Sequence, residues 1–195
     1  MVLVALSRAH RLVLAWGLVL GVSAWTAALA AAPFVLAGRD RPGVAVSASG
    51  LVYVLGGMVC HQHPSRTFHP WGAPMPVCAR CAGLYAGATL GAVAGLLVAY
   101  LQRWRRLRNT SGESLGAWRI GLVLAAAPTA ATFTLEKLFG MGITNGERAA
   151  AGVVLGAAVG WIVASSLRGR EAATDEVPEV NYPDARSDGG ANPAG

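Results

Sequence analysis

The chain has 195 residues, of which 54% are hydrophobic and only 13% are charged. A soluble domain carries about 25% charged residues, so this composition argues against an ordinary soluble protein and favours an integral membrane protein. Residues 1–170 hold 15 basic and four acidic side chains, a balance of +11. Because most of the arginines flank apolar runs and form no stripe interleaved with aromatic residues, they indicate membrane orientation, and no nucleic-acid partner is expected.

Four apolar runs predict transmembrane helices. The first, 12–36, contains no charged residue. At about 1.5 Å per residue it is long enough to cross a bilayer core of about 30 Å. Its segment 28–30, Ala-Leu-Ala, mimics a cleavage site, so a signal peptide removed at about residue 30 is the alternative interpretation. The other predicted spans are 82–101, 116–139 and 149–167.

The segment between the first two spans is harder to interpret. Pro42-Gly43 and the Ser-Ala-Ser-Gly segment 47–50 are typical of turns. Residues 51–59 are apolar but too short to span a bilayer. They predict either a short re-entrant or interfacial helix or a surface loop with one buried helical turn. The expected fold class is therefore all-α, an integral membrane helical bundle of about four transmembrane helices with this short helix as a possible addition.

Two of the spans carry glycine at every fourth position. This small-xxx-small spacing is typical of helices that approach each other closely in lipid. The same faces also offer a surface for homo-oligomerisation. The glycines are Gly83, Gly87, Gly91 and Gly95 in the second span and Gly152, Gly156 and Gly160 in the fourth.

The arginine distribution predicts how the membrane domain, residues 1–170, is oriented. Nine basic residues lie near span ends on the side of the N-terminus and six on the opposite side. The positive-inside rule therefore places both termini in the cytoplasm and the Cys/His loop 60–81 on the exoplasmic face of the plasma membrane. Residues 171–195 are acidic, contain few large apolar residues, and predict a disordered tail.

All three cysteines lie within the 22 residues of the Cys/His loop. Cys60-His61 and Cys78-x-x-Cys81 bracket a proline-rich segment, and thiolate and imidazole ligands suit a zinc or iron ion. The predicted ligand set is Cys60, His61, Cys78 and Cys81. Neighbouring residues predicted to support the ligands or to replace one of them are His63, Gln62, Arg66, Arg80 and Tyr85.

Two other functions stay open from the residues alone. Cys78 and Cys81 could serve a membrane thiol-disulfide oxidoreductase, because a CxxC at a helix N-terminus has a lowered thiol pKa. Membrane enzymes of this kind relay electrons between two cysteine pairs. This chain has three cysteines and so lacks the second pair, and no catalytic residue is assigned. Glu136 and Arg148 could instead form an intramembrane polar site of a small ion or solute transporter. The simpler alternative is that Glu136 and Lys137 both reach the interface.

Both halves of the Cys/His region resemble the motif of the DUF2085 family of predicted membrane proteins. In this chain the motif reads Cys60-His61-Gln62-x-Pro64-x-Arg66-Thr67-Phe68 and Pro76-Val77-Cys78-Ala79-Arg80-Cys81-x-Gly83-Leu84-Tyr85-x-Gly87. The resemblance extends more weakly through 128–160. It departs at Thr132, where the family commonly has Asp, and at Glu136, where many members have Gln. The resemblance implies a membrane protein without an established biochemical activity.

Overall fold

The computed structural model describes residues 8–38, 40–105 and 115–166, and these ranges contain helices and loops only. The α-helices are α1 (Arg8–Ala37), α2 (Gly43–Val59), α3 (Ala79–Arg105), α4 (Leu115–Leu138) and α5 (Asn145–Ser166). All except α2 are long and apolar enough to cross a membrane, which confirms the predicted helical membrane bundle. The predicted acidic tail lies outside the described residues.

Several helices extend beyond the apolar runs that predict them. Helix α3 continues to Arg105, four residues beyond its predicted end, and arginine and glutamine are good helix formers. Helix α5 begins four residues before its predicted start, at Asn145, because Thr144 and Glu147 form a capping box. The Thr144 Oγ1 accepts from the Glu147 N–H at 3.2 Å, and the Glu147 carboxylate accepts from the Thr144 N–H at 2.8 Å.

Helix α2 corrects the turns predicted at residues 42–50. It is one continuous helix of 17 residues, with Pro42 immediately before it. The serine and glycine residues that suggested turns are small residues on a helix that packs beside α1. Ser49 is 5% exposed, whereas Leu51 and Val54 are more than half exposed. The short apolar helix is thus present and almost twice as long as the predicted segment.

The contacts between helices define their directions. Helices α1 and α3 are antiparallel, since Thr26 and Thr89 lie 3.0 Å apart (Oγ1 to Oγ1) and Val19 packs with Ala92 further along. Helix α4 is antiparallel to α5, because Thr129 donates to the Ala151 carbonyl and Glu136 pairs with Arg148. One end of the bundle therefore collects one end of each of the four spanning helices, and we call it the cysteine end. These ends are Ala37, Ala79, Leu138 and Asn145.

The two glycine faces pack against each other within the chain, and α3 and α5 run parallel. A Cβ added to Gly83, Gly87 or Gly91 would lie 2.0–2.2 Å from a carbonyl oxygen of α5. The same addition on the α5 glycines at 152, 156 and 160 would meet a carbonyl oxygen of α3 at 2.1–2.3 Å. The predicted close approach is thus an intramolecular contact, and these faces are covered without a second copy.

Outside these contacts the spans present large apolar side chains outward. This exposure suits a lipid environment, in which apolar side chains lose nothing by remaining outside the protein core. Examples with an exposed fraction above one half are Val13, Leu20, Leu97, Val123 and Leu124.

Candidate metal centre and arginine cluster

The loop that carries the cysteines is held by polar contacts at both of its ends. The Cys60 N–H donates to the Gly56 carbonyl at 2.9 Å, which ends α2. Gln62 adopts a left-handed conformation with φ 46°. Its side-chain amide donates to the carbonyls of Tyr53 at 2.8 Å and Pro76 at 2.6 Å. Gly56 permits this arrangement, because a Cβ there would lie 2.5 Å from the Pro76 carbonyl oxygen.

The structure brings the three thiols together. The Sγ atoms of Cys60, Cys78 and Cys81 all lie within 4.8 Å of one another. All three are free thiols, and the Cys78 N–H donates to the Cys60 sulfur at 3.2 Å. Tetrahedral zinc with sulfur ligands at about 2.3 Å separates the sulfurs by about 3.8 Å. A contraction of at most about 1 Å would therefore place the three sulfurs around one ion.

Apolar side chains from α1, from α3 and from the loop before α3 pack against the thiol cluster. Leu29 and Val77 are buried with Cys60, at 2% and 0% exposure. Trp25 and Tyr85 pack against the same cluster and form an edge-to-face pair with ring centroids 6.2 Å apart. Tyr85 therefore contributes to the apolar wall of the site, where a low dielectric strengthens thiolate–cation attraction.

The position of Cys78 favours its thiolate. Hydrogen bonding from the Cys81 side chain lowers the pKa of Cys78 to about 5, with smaller contributions from backbone N–H groups and Cys60. Burial opposes this change but does not reverse it. A thiolate at neutral pH is the form that binds a metal and the form that attacks a disulfide. The cluster can therefore bind a soft cation or act as a nucleophile.

The two histidines predicted as the nitrogen ligand lie away from the sulfurs. His61 and His63 are exposed. Within the described ranges the group that can share one ion consists of the three cysteines. Cys60 has extended backbone angles, so the side chain of the next residue points to the opposite side. His63 instead lies 3.0 Å from the Ser65 hydroxyl through its Nδ1 atom.

The sequence predicts that Arg66 and Arg80, the two arginines of the motif, support the cysteine ligands. In the structure both side chains converge on Glu136 instead. Arg66 Nη2 lies 2.8 Å and Arg80 Nη2 3.7 Å from the Glu136 carboxylate. Arg148 pairs with the same carboxylate at 3.3 Å, so the predicted pair of Glu136 and Arg148 is brought together. The Glu136 side chain is only 9% exposed, whereas Lys137 is exposed. We call Glu136 and the three arginines around it the arginine cluster.

Two further residues complete this cluster. The Arg80 guanidinium lies 3.4 Å from the Thr132 hydroxyl and 3.7 Å from the carboxylate of Glu136, one helical turn further along α4. Thr132 and Glu136 are the two positions at which the chain departs from the DUF2085 pattern, and both contact Arg80. Asn145 donates to the Thr67 carbonyl at 3.1 Å and accepts from Arg148 at 2.7 Å. No local pattern in the sequence indicates this contact, because Asn145 and Thr67 lie 78 residues apart in the chain.

The fold and the thiol cluster define a multi-pass helical membrane protein with a cysteine site at one end of its bundle. The family model described as "Predicted membrane protein (DUF2085)" matches residues 60–162, more than half of the chain and a range that contains both clusters. The chain belongs to the DUF2085 family.

Two archaeal proteins are similar over short segments. One, an uncharacterized protein of Methanocaldococcus jannaschii, is 43% identical over 42 residues, which is 22% of this chain and 27% of the relative. The other, an uncharacterized protein of Methanothermobacter thermautotrophicus, is 53% identical over 30 residues, 15% of this chain and 27% of the relative. The chain thus matches about a quarter of the length of each. No solved structure matches this chain significantly.

Proposed function

We propose that this membrane protein binds one zinc or iron ion through Cys60, Cys78 and Cys81. The observation that carries the proposal is the convergence of three free sulfurs within 4.8 Å of one another, although Cys60 lies 18 residues from Cys78. His61 follows Cys60 directly and is the candidate for the fourth ligand after rotation of its exposed side chain. Water is the alternative at that position.

The ion would act as a structural clamp. Cys60 ends α2, while Cys78 and Cys81 begin α3, so one ion would join two helices and close the loop between them. Closing a loop through a metal removes conformational freedom from the unfolded chain and stabilises the folded one. We also propose that the cysteine end is exoplasmic and both termini cytoplasmic, on the arginine distribution.

Metal analysis of the anaerobically purified protein tests this function. We expect about one zinc or iron ion per chain in the wild type and loss of the ion in Cys60→Ser. His61→Ala identifies the fourth ligand, with His69→Ala as a control for an exposed histidine of the same loop. Removal of the ion with a chelator should expose the loop, so trypsin should cleave after Arg66 faster than in the metal-loaded protein.

A membrane thiol-disulfide oxidoreductase is the second candidate, and the lowered pKa of Cys78 favours it. That function requires a Cys78–Cys81 disulfide that cycles with reductant and does not depend on Cys60. A metal-free wild-type protein whose disulfide cycles normally in Cys60→Ser would replace the metal proposal with this one.

A further inference from the structure

The arginine cluster holds more positive charge than its own carboxylate can offset. Arg66 from the loop, Arg80 from α3 and Arg148 from α5 surround the single carboxylate of Glu136 on α4. Within the arginine cluster, three guanidinium groups and one carboxylate leave two positive charges. The nearby Glu147 carboxylate also acts electrostatically on Arg148, but it is exposed and is held by the Thr144 N–H and hydroxyl. Uncompensated charge in such a poorly hydrated position is costly.

One of the three arginines is fully engaged. Arg148 donates from Nε and Nη2 to the two oxygens of Glu136 at 3.4 and 3.3 Å. Its remaining Nη1 donates to Asn145 Oδ1 at 2.7 Å, and the whole residue is only 9% exposed. Arg148 and Glu136 thus form a closed, neutral pair, which gives Glu136 a defined position between the other two arginines.

The other two arginines carry the excess charge. Arg66 is 36% exposed at its side chain and contacts Glu136 through one nitrogen, so most of its donors face away from the carboxylate. Arg80 is 20% exposed, and its Nη2 makes only long contacts of 3.4 Å to Thr132 and 3.7 Å to Glu136. Its Nε atom is buried and has no hydrogen-bond partner among the described residues. A buried donor without an acceptor costs about 1–3 kcal/mol.

The arginine cluster is separate from the thiol cluster, although Arg80 lies between Cys78 and Cys81 in the chain. The sulfur side of this segment packs against Leu29 of α1. Arg80 points the other way, with its guanidinium 5.8 Å from the centre of the Phe133 ring on α4. A ligand of the arginines therefore does not compete with an ion at the cysteines.

We propose that Arg66 and Arg80, positioned by the Arg148–Glu136 pair, bind a phosphate group. A phosphate dianion offsets the two excess positive charges, and its oxygens match the planar fork of guanidinium donors. It would also supply the acceptor that Arg80 Nε lacks. Free inorganic phosphate and the phosphomonoester headgroup of a lipid such as phosphatidic acid present the same chemistry at this end of the bundle. The inference goes beyond the proposed metal function and does not depend on it.

Titration of the full-length protein in a neutral detergent with inorganic phosphate tests the first source. We expect phosphate to raise the thermal unfolding midpoint relative to chloride at equal ionic strength. Arg80→Gln and Arg66→Gln should each weaken phosphate binding about tenfold or more, since each removes a charged donor. The matched control is Arg41→Gln, which removes the same charge from an exposed arginine near the cysteine end that packs over Phe34.

Native mass spectrometry of the same variants with added phosphatidic acid tests the lipid source. Retention of this lipid by the wild type and by Arg41→Gln, and its loss in Arg66→Gln, would assign the phosphate to a headgroup. A response to inorganic phosphate without lipid retention would assign it to a free anion. The partly exposed position of Arg66 in the loop keeps the test valid if Arg80→Gln does not fold.

Two binding results would overturn the proposal, and a third overturning result is read from the metal content. The first is that neither phosphate source binds the wild type above the chloride control. The second is that Arg41→Gln weakens binding as much as Arg66→Gln, because the effect would then be general surface charge. Metal content serves as an independent readout and should stay unchanged in all of these variants. Loss of metal together with phosphate would show that the arginines only hold the loop in place.

Discussion

Substitution of one interface glycine should weaken the bundle, and Gly87→Ala is the sharpest case. The added Cβ would lie 2.2 Å from the Val153 carbonyl oxygen and 2.8 Å from the Val153 Cα. Neither neighbour is a movable side chain, so α3 and α5 must separate by about 1 Å to restore van der Waals distance. A gap of about 0.5–1 Å forfeits about a quarter to a half of each neighbouring contact's dispersion energy. We expect a loss of about 1–3 kcal/mol in the free energy of unfolding, typical of overpacked sites.

The matched control is Gly21→Ala in α1. A Cβ at Gly21 meets nothing within 4 Å. Alanine should therefore be neutral there or stabilise the helix by about 0.5–1 kcal/mol, since glycine is the poorer helix former. Reversible unfolding in mixed micelles with increasing sodium dodecyl sulfate, followed by circular dichroism, measures both variants. If Gly87→Ala is as stable as Gly21→Ala, the close packing of α3 on α5 is wrong.

Two further predictions concern the helix cap and the thiols. Thr144→Ala removes the capping box of α5 and should cost about 1 kcal/mol in unfolding free energy. The control Thr134→Ala, at an exposed position of α4, should cost less. Equal losses in the two variants would contradict the cap. Hydrogen bonding from Cys81 lowers the pKa of Cys78 to about 5. In metal-free protein, the rate at which iodoacetamide alkylates Cys78 should therefore rise through about pH 5 and be constant near neutrality. Cys81→Ala removes that donor and should move the midpoint up toward the ordinary thiol pKa; a wild-type midpoint near 9 would refute the assignment.

The membrane fold was predictable from the length of the apolar runs and from the spacing of the glycines within them. A helix that crosses lipid must be apolar along about 20 residues, so length and hydropathy alone reveal it. The glycine faces were equally visible, because a four-residue repeat places Gly83 and Gly87 on one side of a helix. Only the packed helices of the tertiary structure show that the glycine face of α3 meets that of α5 in the same chain and not that of a second copy.

Helix α2 shows where local patterns mislead. Ser49 and Gly50 are typical of turns, because the serine hydroxyl can hydrogen-bond to neighbouring backbone groups and glycine adopts backbone conformations that other residues rarely reach. Ser49 is nevertheless buried in one continuous helix that packs beside α1, whereas Gly50 on the same helix is exposed. The packing partner, which the segment's own sequence does not contain, decided the outcome.

The sequence by itself determined the membrane spans, the glycine faces and the short pairs Cys60-His61 and Cys78-x-x-Cys81. Each is a property of one helix or one loop, set by residues close together in the chain. The tertiary structure alone decided that three sulfurs form one group without His61, and that Glu136 receives arginines from three separate segments. Such contacts depend on the direction of each side chain after the helices dock, and local spacing carries no information about that direction.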